Sequence, residues 1–431
     1  MPDIHRRTAA RGRARLTAIG VGLVAALALT ACAGSPSAAP SSPDALEDFT
    51  FTSWNYGEEA QKALIEQEVA GFTDGKGIEA ELVSYPFAEY RNQLLLRSRD
   101  GSTTGAAQLD IADIQSLARL GVLEDLGSYV DAGGYTDAAL ANGKVGDTQY
   151  GLPWYTGSIG LISNTALLEQ AGITETPQTV DEFEDALKAV KGLGGDVVPY
   201  ALATKPETIK DFIPWFRTFG SKIVDGEEIS VNDKGAVEAL TWIKSLVDDG
   251  LVSLNVGRPE ARTLYSQGKA AFFDDANQVR GTISSQATDP TLLDHTLPVS
   301  RPVVKAGDEP QALAWGGLLV VFKEGPANTA SQFASFLSSD VDTALNRFEQ
   351  IGSVPTTTKA LEDPIFADDA YATTWQEQIT TGASPNPLWA FPEYAQMEAK
   401  LAEQIQAALI GSKSPKDALD DANAAMQELV K

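Results

Sequence analysis

From residue 49 onward, strand signals and helix signals alternate, and that order restricts the possible folds more than any other feature of the chain. "FTFTSW" (49–54) alternates and is rich in aromatics and Thr, as a strand is. "EEAQKALIEQEVAGF" follows, with Ile65, Val69 and Phe72 on one helical stripe. "IEAELVSY" (78–85) reads as a second strand, "FAEYRNQLLLRS" as a second helix and "LDIADI" (109–114) as a short buried strand. Strand–helix–strand order implies a parallel sheet covered by helices.

A second set of elements follows "YGLPWYTGSIGLISN" (150–164), whose "SIGLISN" is strand-like. In "QTVDEFEDALKAVKGLGG", Thr179 and Glu182 predict a capping box and the glycines a stop. "VPYALA" is a strand, and "NDKGAVEALTWIKSLVDDGL" is a helix with Gly250 at its C-terminal cap. "KAAFFDD" and "LLVVFK" are strands, and two helices close the chain, the last with Ser414 as cap and Pro415 in its first turn. Two α/β units in one chain predict a cleft. In open α/β sheets ligands sit beyond the carboxyl ends of the strands. Trp54 ends the first strand, Asp113 lies near the end of the third, and Trp154 follows Tyr150–Pro153, so all three can converge there.

The first 31 residues stand apart. Five arginines precede an apolar stretch from Leu16 to Ala31, too short and wrongly flanked to span a membrane, so the segment reads as a secretory signal. Its removal takes five Arg and one Asp from the 33 basic and 59 acidic residues and leaves a net charge near −30. That charge opposes nucleic acid and anionic surfaces; it keeps the chain soluble and leaves polyamines open as ligands. The sole cysteine, Cys32, ends "LTAC", which resembles the lipobox of bacterial lipoproteins, whose cysteine is lipidated. Residues 32–45, rich in Ser, Pro and Ala, read as a flexible tether. A globule anchored outside a bacterial cell membrane is the expectation.

Catalysis fits poorly. Beyond the signal only His295 remains, and there is no G-x-S-x-G elbow, H-E-x-x-H or phosphate-binding G-x-x-x-x-G-K-[ST] loop. No metal or cofactor is expected. Carboxylate pairs suffice for glycoside hydrolysis. Asp274 and Asp275 are adjacent in a strand, however, and so point to opposite faces. A cell-surface glycosidase is therefore a remote alternative.

The seven tryptophans say more. Trp242 and Trp375 lie in helical patterns and read as core. Trp54, Trp154, Trp315 and Trp389 lie at strand ends or in Gly/Pro-rich loops, each near a polar residue. Aromatic faces accept the apolar face of a sugar ring, while carboxylates and amides take its hydroxyl rim. Asp113, Gln115, Asp274, Asp275 and Asn277 are the rim candidates. Tyr56, Tyr155 and Gly316 stand beside the aromatics in sequence and complete the expected site.

Across nearly all of residues 46–431 the chain resembles the extracellular solute-binding proteins of sugar ABC importers, the group that includes maltose-binding protein. "LDIADIQSLARLGVLEDLGSYV", "GDTQYGLPWYTGSIGLISNTALLEQAGITETPQTVDEF", "YSQGKAAFFDD" and "WGGLLVVFKEGPANTASQFASFLSS" carry the resemblance through their order and spacing. It departs at Asn164-Thr165, where the family often has Asn-Lys, and at Gln108-Leu109, where it often has Pro. The resemblance implies an α/β fold of two lobes, each a sheet flanked by helices, with a ligand cleft at the hinge. One lobe would span 46–156 plus 296–338 and the other 157–295 plus 339–431. Tyr150–Asn164 would be the first of three crossings, with Trp154 and Tyr155 lining the cleft. A carbohydrate, an oligosaccharide by preference, would be captured by hinge closure and passed by this monomer to permease subunits served by a separate ATPase. A polyamine or other polar solute in the same fold is the nearest alternative.

Overall fold

The computed structural model describes residues 45–206 and 210–430. Cys32, the signal segment and all of the tether except Ala45 lie outside the described residues. Nine strands make one mixed sheet. In chain order they are β1 (Phe49–Thr52), β2 (Ala80–Val83), β3 (Ala106–Asp110), β4 (Gly151–Asn164), β5 (Val198–Ala201), β6 (Ala270–Ala276), β7 (Thr296–Val299), β8 (Ala312–Val321) and β9 (Ala383–Ser384). The spatial order is β2-β1-β3-β8-β4-β6-β5, with β7 also on β4 and β9 on β8. Helices α1 (Glu59–Thr73) and α2 (Phe87–Arg99) are the crossovers that make β1, β2 and β3 parallel. Every residue of β3 and β6 is buried, as in strands covered on both faces.

Helix α3 (Val180–Lys191) begins with the predicted capping box. The Thr179 hydroxyl accepts from Glu182 N at 3.3 Å, and the Glu182 carboxylate accepts from Thr179 N at 3.1 Å. Such caps stabilise a helix by about 1 kcal/mol. Helix α4 (Lys234–Asp248) carries the stripe Ala236, Ala239, Leu240, Ile243 and Leu246 and ends before Gly250, whose φ of 63° suits glycine. Helix α5 (Ala327–Ser339) buries Phe333 and Leu337 against β1 and β4, and α6 (Val341–Ile351) follows it directly. Helices α7 (Tyr394–Leu409) and α8 (Pro415–Leu429) pack on each other and on α4.

Two sequence expectations shift in register. The third strand runs 106–110 rather than 109–114, because the Asp110 carboxylate accepts from Ala112 N at 3.0 Å and turns Ile111–Asp113 into a short 3-10 helix. The strand predicted at "SIGLISN" begins seven residues earlier, at Gly151. β4 is thus long enough to serve both ends of the sheet. Residues 151–159 pair with β8, and residues 159–164 pair with β6, β7 or both. A third segment joins at the same place: Thr156 N donates to Val354 O at 3.1 Å.

Between Leu318↔Pro153 and Gly317↔Tyr155 the β4–β8 ladder slips, and Trp154 is the extra residue. A bulge breaks the strict alternation of side chains. Trp154 and Tyr155 therefore lie ring to ring, with centroids 5.5 Å apart, instead of on opposite faces.

A candidate ligand cleft at the strand crossing

The crossing supplies a row of rings. Trp154 meets Tyr155, and Tyr155 meets Trp315 of β8 at 5.6 Å. Glycines make the row possible. A Cβ on Gly317 would lie 2.5 Å from the Tyr155 ring, and one on Gly157 would lie 2.6 Å from Asn277 Oδ1. One on Gly316 would meet Tyr155 O at 2.8 Å. The Tyr155 hydroxyl accepts from Gln108 Nε2 at 2.9 Å, and burial pushes its pKa well up. Behind the row, Trp154 packs on Phe51 and lies under the guanidinium of Arg347, 4.0 Å from the ring centroid. Trp54 is placed against Tyr90 at 5.0 Å, and Tyr56 beneath Lys62.

A polar group flanks Trp315. Its Nε1 donates to Asp110 Oδ2 at 3.2 Å, and Lys210 Nζ reaches the same oxygen at 3.4 Å. Lys210 also lies 5.9 Å over the Trp389 ring, whose Nε1 donates to Glu398 at 2.9 Å. Asp113 accepts from Arg91 Nε at 2.5 Å and from the Tyr394 hydroxyl at 2.6 Å. Burial raises the Asp113 and Glu398 carboxyls, opposed by Arg91 and Lys210 respectively. Gln115 is half-buried in the short helix Ile114–Ala118.

Asp274 and Asp275 do face opposite ways. Asp274 pairs with Arg301 and accepts from the Tyr200 hydroxyl inside the core, where Arg301 lies over Trp215. Asp275 is forked by Arg262, at 2.5 and 2.9 Å, with Arg258 at 3.5 Å. Burial would raise the Asp275 carboxyl, but Arg262 and Arg258 outweigh it and hold it low. Asn277 donates from Nδ2 to Gly352 O at 2.6 Å, which ties β6 to the third crossing segment. The structure therefore gathers Trp154, Tyr155, Trp315, Gly316 and Asn277 at the crossing and Asp113 and Trp389 beside it. It leaves Asp274 enclosed by its own partners.

Sequence reasoning missed Arg91, Asp110, Lys210, Arg347, Tyr394 and Glu398. Arg347 had a readable signal: it interrupts the apolar stripe of α6 between Ala344 and Phe348. Among the described residues no cluster of His, Cys, Asp or Glu fits a metal ion, and no helix is long and apolar enough to cross a membrane. An open concavity of about 710 Å³ lies near the C-terminus of α5, lined by Phe72, Tyr129, Phe336 and Asp340; it shares no residue with the aromatic row.

The buried acids give a pH dependence. Burial pushes Asp211 up to about 6 in spite of Arg258, and Glu68, Asp113 and Glu398 are raised too. The folded form therefore holds protons that the unfolded chain has already lost above its ordinary carboxyl pKa of about 4. Stability from this source is present at low pH and is lost as pH rises through about 6. The ligand-free melting temperature is expected to be higher at pH 5 than at pH 7.5. A steady fall from pH 7.5 to pH 5 contradicts this.

The family described as bacterial extracellular solute-binding protein matches residues 67–374. A binding protein of Brucella abortus is 26% identical over 274 residues, 62% of this chain and 65% of the relative, so the match spans just under two thirds of that protein. An ABC transporter-binding protein of Deinococcus radiodurans is 31% identical over 147 residues, 31% of this chain and 34% of that protein. Two solved structures align with a TM-score of 0.78: the maltose-bound MalE3 of T. maritima and the GacH receptor of Streptomyces glaucescens, which was also solved with acarbose. They are 19% and 22% identical, cover 89% of this chain, and are themselves covered over 99% and 98% of their length. At that identity the likeness shows the fold: two lobes built on mixed, helix-flanked sheets.

Proposed function

The chain belongs to the bacterial extracellular solute-binding proteins, and from that premise we propose that it captures a carbohydrate in the cleft at the β4–β8 crossing. The observation that carries this is the ring row Trp154–Tyr155–Trp315 at the place where three chain segments meet. Sugar rings stack on aromatic faces, and Trp315, the half-buried end of the row, offers one, with Trp154 and Tyr155 packed behind it and Asn277, Asp110 and Asp113 supplying polar groups. Lobes of 46–156 plus 296–338 and 157–295 plus 339–431 would close on the ligand as a hinge. Contacts made by both lobes favour the closed form in proportion to their difference between states. The maltose-bound and acarbose-bound relatives support an oligosaccharide as the ligand class.

The partners in this reading are permease subunits with a separate ATPase, and the protein is a monomeric binder rather than an enzyme. Cys32 carries the lipid that holds it at the outer face of the cell membrane. Cys32→Ser is then expected to move the protein from the membrane fraction to the medium of a bacterial host; retention in the membrane rejects the anchor. A cationic solute is the second reading, favoured by the acids Asp110, Asp113 and Glu398, which accept from Trp315, Tyr394 and Trp389 respectively. Thermal melts and tryptophan fluorescence with maltose, maltotriose, acarbose and spermidine decide between the two. Stabilisation by an oligosaccharide and not by spermidine supports the carbohydrate. The reverse pattern replaces it with the cation.

A further inference from the structure

We infer that Nε1 of Trp154 and Nη1 of Arg347 form a pair of donors built to receive an oxygen acceptor on the ligand. This rests on the carbohydrate reading and narrows it. Trp154 is 3% exposed and Arg347 2%. Both of these nitrogens are buried and neither has a hydrogen-bond partner in the protein. They are neighbours, because the guanidinium carbon lies 4.0 Å from the centroid of the indole. The rest of Arg347 is engaged: Nε donates to Glu68 Oε1 at 2.8 Å, and Nη2 donates to Oε2. A buried donor without an acceptor destabilises the fold that contains it. Two side by side, at the bulge that turns Trp154 toward Tyr155, point to an acceptor that arrives from outside.

The face of α1 behind them carries further polar groups. Glu58, Gln61, Ile65 and Glu68 fall on one face of α1 and the residue before it, at spacings of three, four and three. Glu68 holds Arg347 at the inner end of that face. Gln61 Oε1, two turns outward, is likewise buried without a partner. Glu58, exposed at the outer end, accepts from Gln61 Nε2 at 2.5 Å.

The chemistry of the pair selects the ligand group. Neither an indole N–H nor a guanidinium can accept a hydrogen bond. The matching group is a hydroxyl, ring or glycosidic oxygen, or a carboxylate. An ammonium has no lone pair to offer and is repelled by the guanidinium. This subsite therefore takes a neutral or acidic saccharide unit and excludes an amine.

Trp154→Phe tests this, since it removes the N–H while keeping an aromatic ring, although the smaller ring also leaves a void at this buried position. Trp242→Phe is the control: its Nε1 donates to Glu184 at 3.1 Å, away from the crossing. Arg347→Lys is the second variant; it keeps a charge for Glu68 and removes Nη1. The probes are maltose, maltotriose and acarbose, by calorimetry and by thermal melts without ligand. Trp154→Phe is expected to bind the best of these about tenfold more weakly, the loss of one hydrogen bond, while its ligand-free melting temperature falls no further than that of Trp242→Phe, which loses the same second ring and a paired N–H besides. Arg347→Lys is expected to weaken binding similarly, and Trp242→Phe to leave affinity unchanged. Wild-type affinity in Trp154→Phe overturns the inference and leaves the carbohydrate reading standing. A melting temperature lowered further than in Trp242→Phe also overturns it, because the nitrogen is then paired within the protein. If the wild type binds none of the three sugars, the carbohydrate reading falls and this inference falls with it.

Discussion

Glu68→Leu is expected to lower the stability of the ligand-free protein by about 3–5 kcal/mol, the usual cost of leaving a buried charge without its partner. Glu68 and Arg347 have side chains only 2% exposed, and they join α1 to α6 across 279 residues of sequence. Without Glu68 the guanidinium stays enclosed over the Trp154 ring with no counter-charge. Burial presses Glu68 toward its neutral form, and Arg347 opposes that shift. The ion pair itself adds little net stability, since removing two charges from water costs nearly as much as their attraction returns. Glu68→Leu combined with Arg347→Met should therefore recover most of the loss. Urea unfolding of the two single variants and the double variant measures this. A single-variant loss under about 1 kcal/mol, typical of a solvated surface pair, shows the site to be wet and refutes the account.

Trp154→Ala should be comparably severe, at about 3–5 kcal/mol for a buried aromatic truncated in a packed core. Its ring fills space between Phe51, Tyr155 and Arg347, and none of these can collapse into the gap without breaking the β4–β8 bulge. Sugar affinity should fall as well, because the ring row loses its first member. Trp242→Ala should cost less, about 1.5–3 kcal/mol, because that ring is only half-buried at the edge of a cluster with Trp215, Phe183 and Phe219. This reverses the order that sequence position suggests, where Trp242 reads as core and Trp154 as an open platform. Melting curves of the two variants without ligand decide it. If Trp242→Ala melts lower than Trp154→Ala, the bulge does not enclose Trp154 in solution.

Much of the fold could be read in the chain because its signals are local. The Thr179 and Glu182 box, the Ser414 cap with Pro415, and the stripe from Ala236 to Leu246 each need only one turn of helix to act. Strand–helix alternation gave the parallel β1–β2–β3 unit, and period-two geometry separated Asp274 from Asp275 correctly. The candidate cleft was legible only in part. The crossing stretch and its aromatics stood out by composition. The polar partners did not, since Asp113 meets Tyr394 across 281 residues and Trp315 meets Asp110 across 205.

What the sequence determined by itself is the element order, the caps and the α/β class, because each follows from the conformational preferences of neighbouring residues. What only the tertiary structure decided is the direction in which side chains face at the crossing. A single extra residue in β4 opposite Gly317-Leu318 breaks the alternation that any strand pattern assumes, and it turns Trp154 onto the face of Tyr155. That bulge depends on β8 lying alongside, on Gly317 leaving room for the Tyr155 ring, and on Arg347 arriving from α6. These are pairings between distant segments, and their energies exist only once the chain has closed on itself.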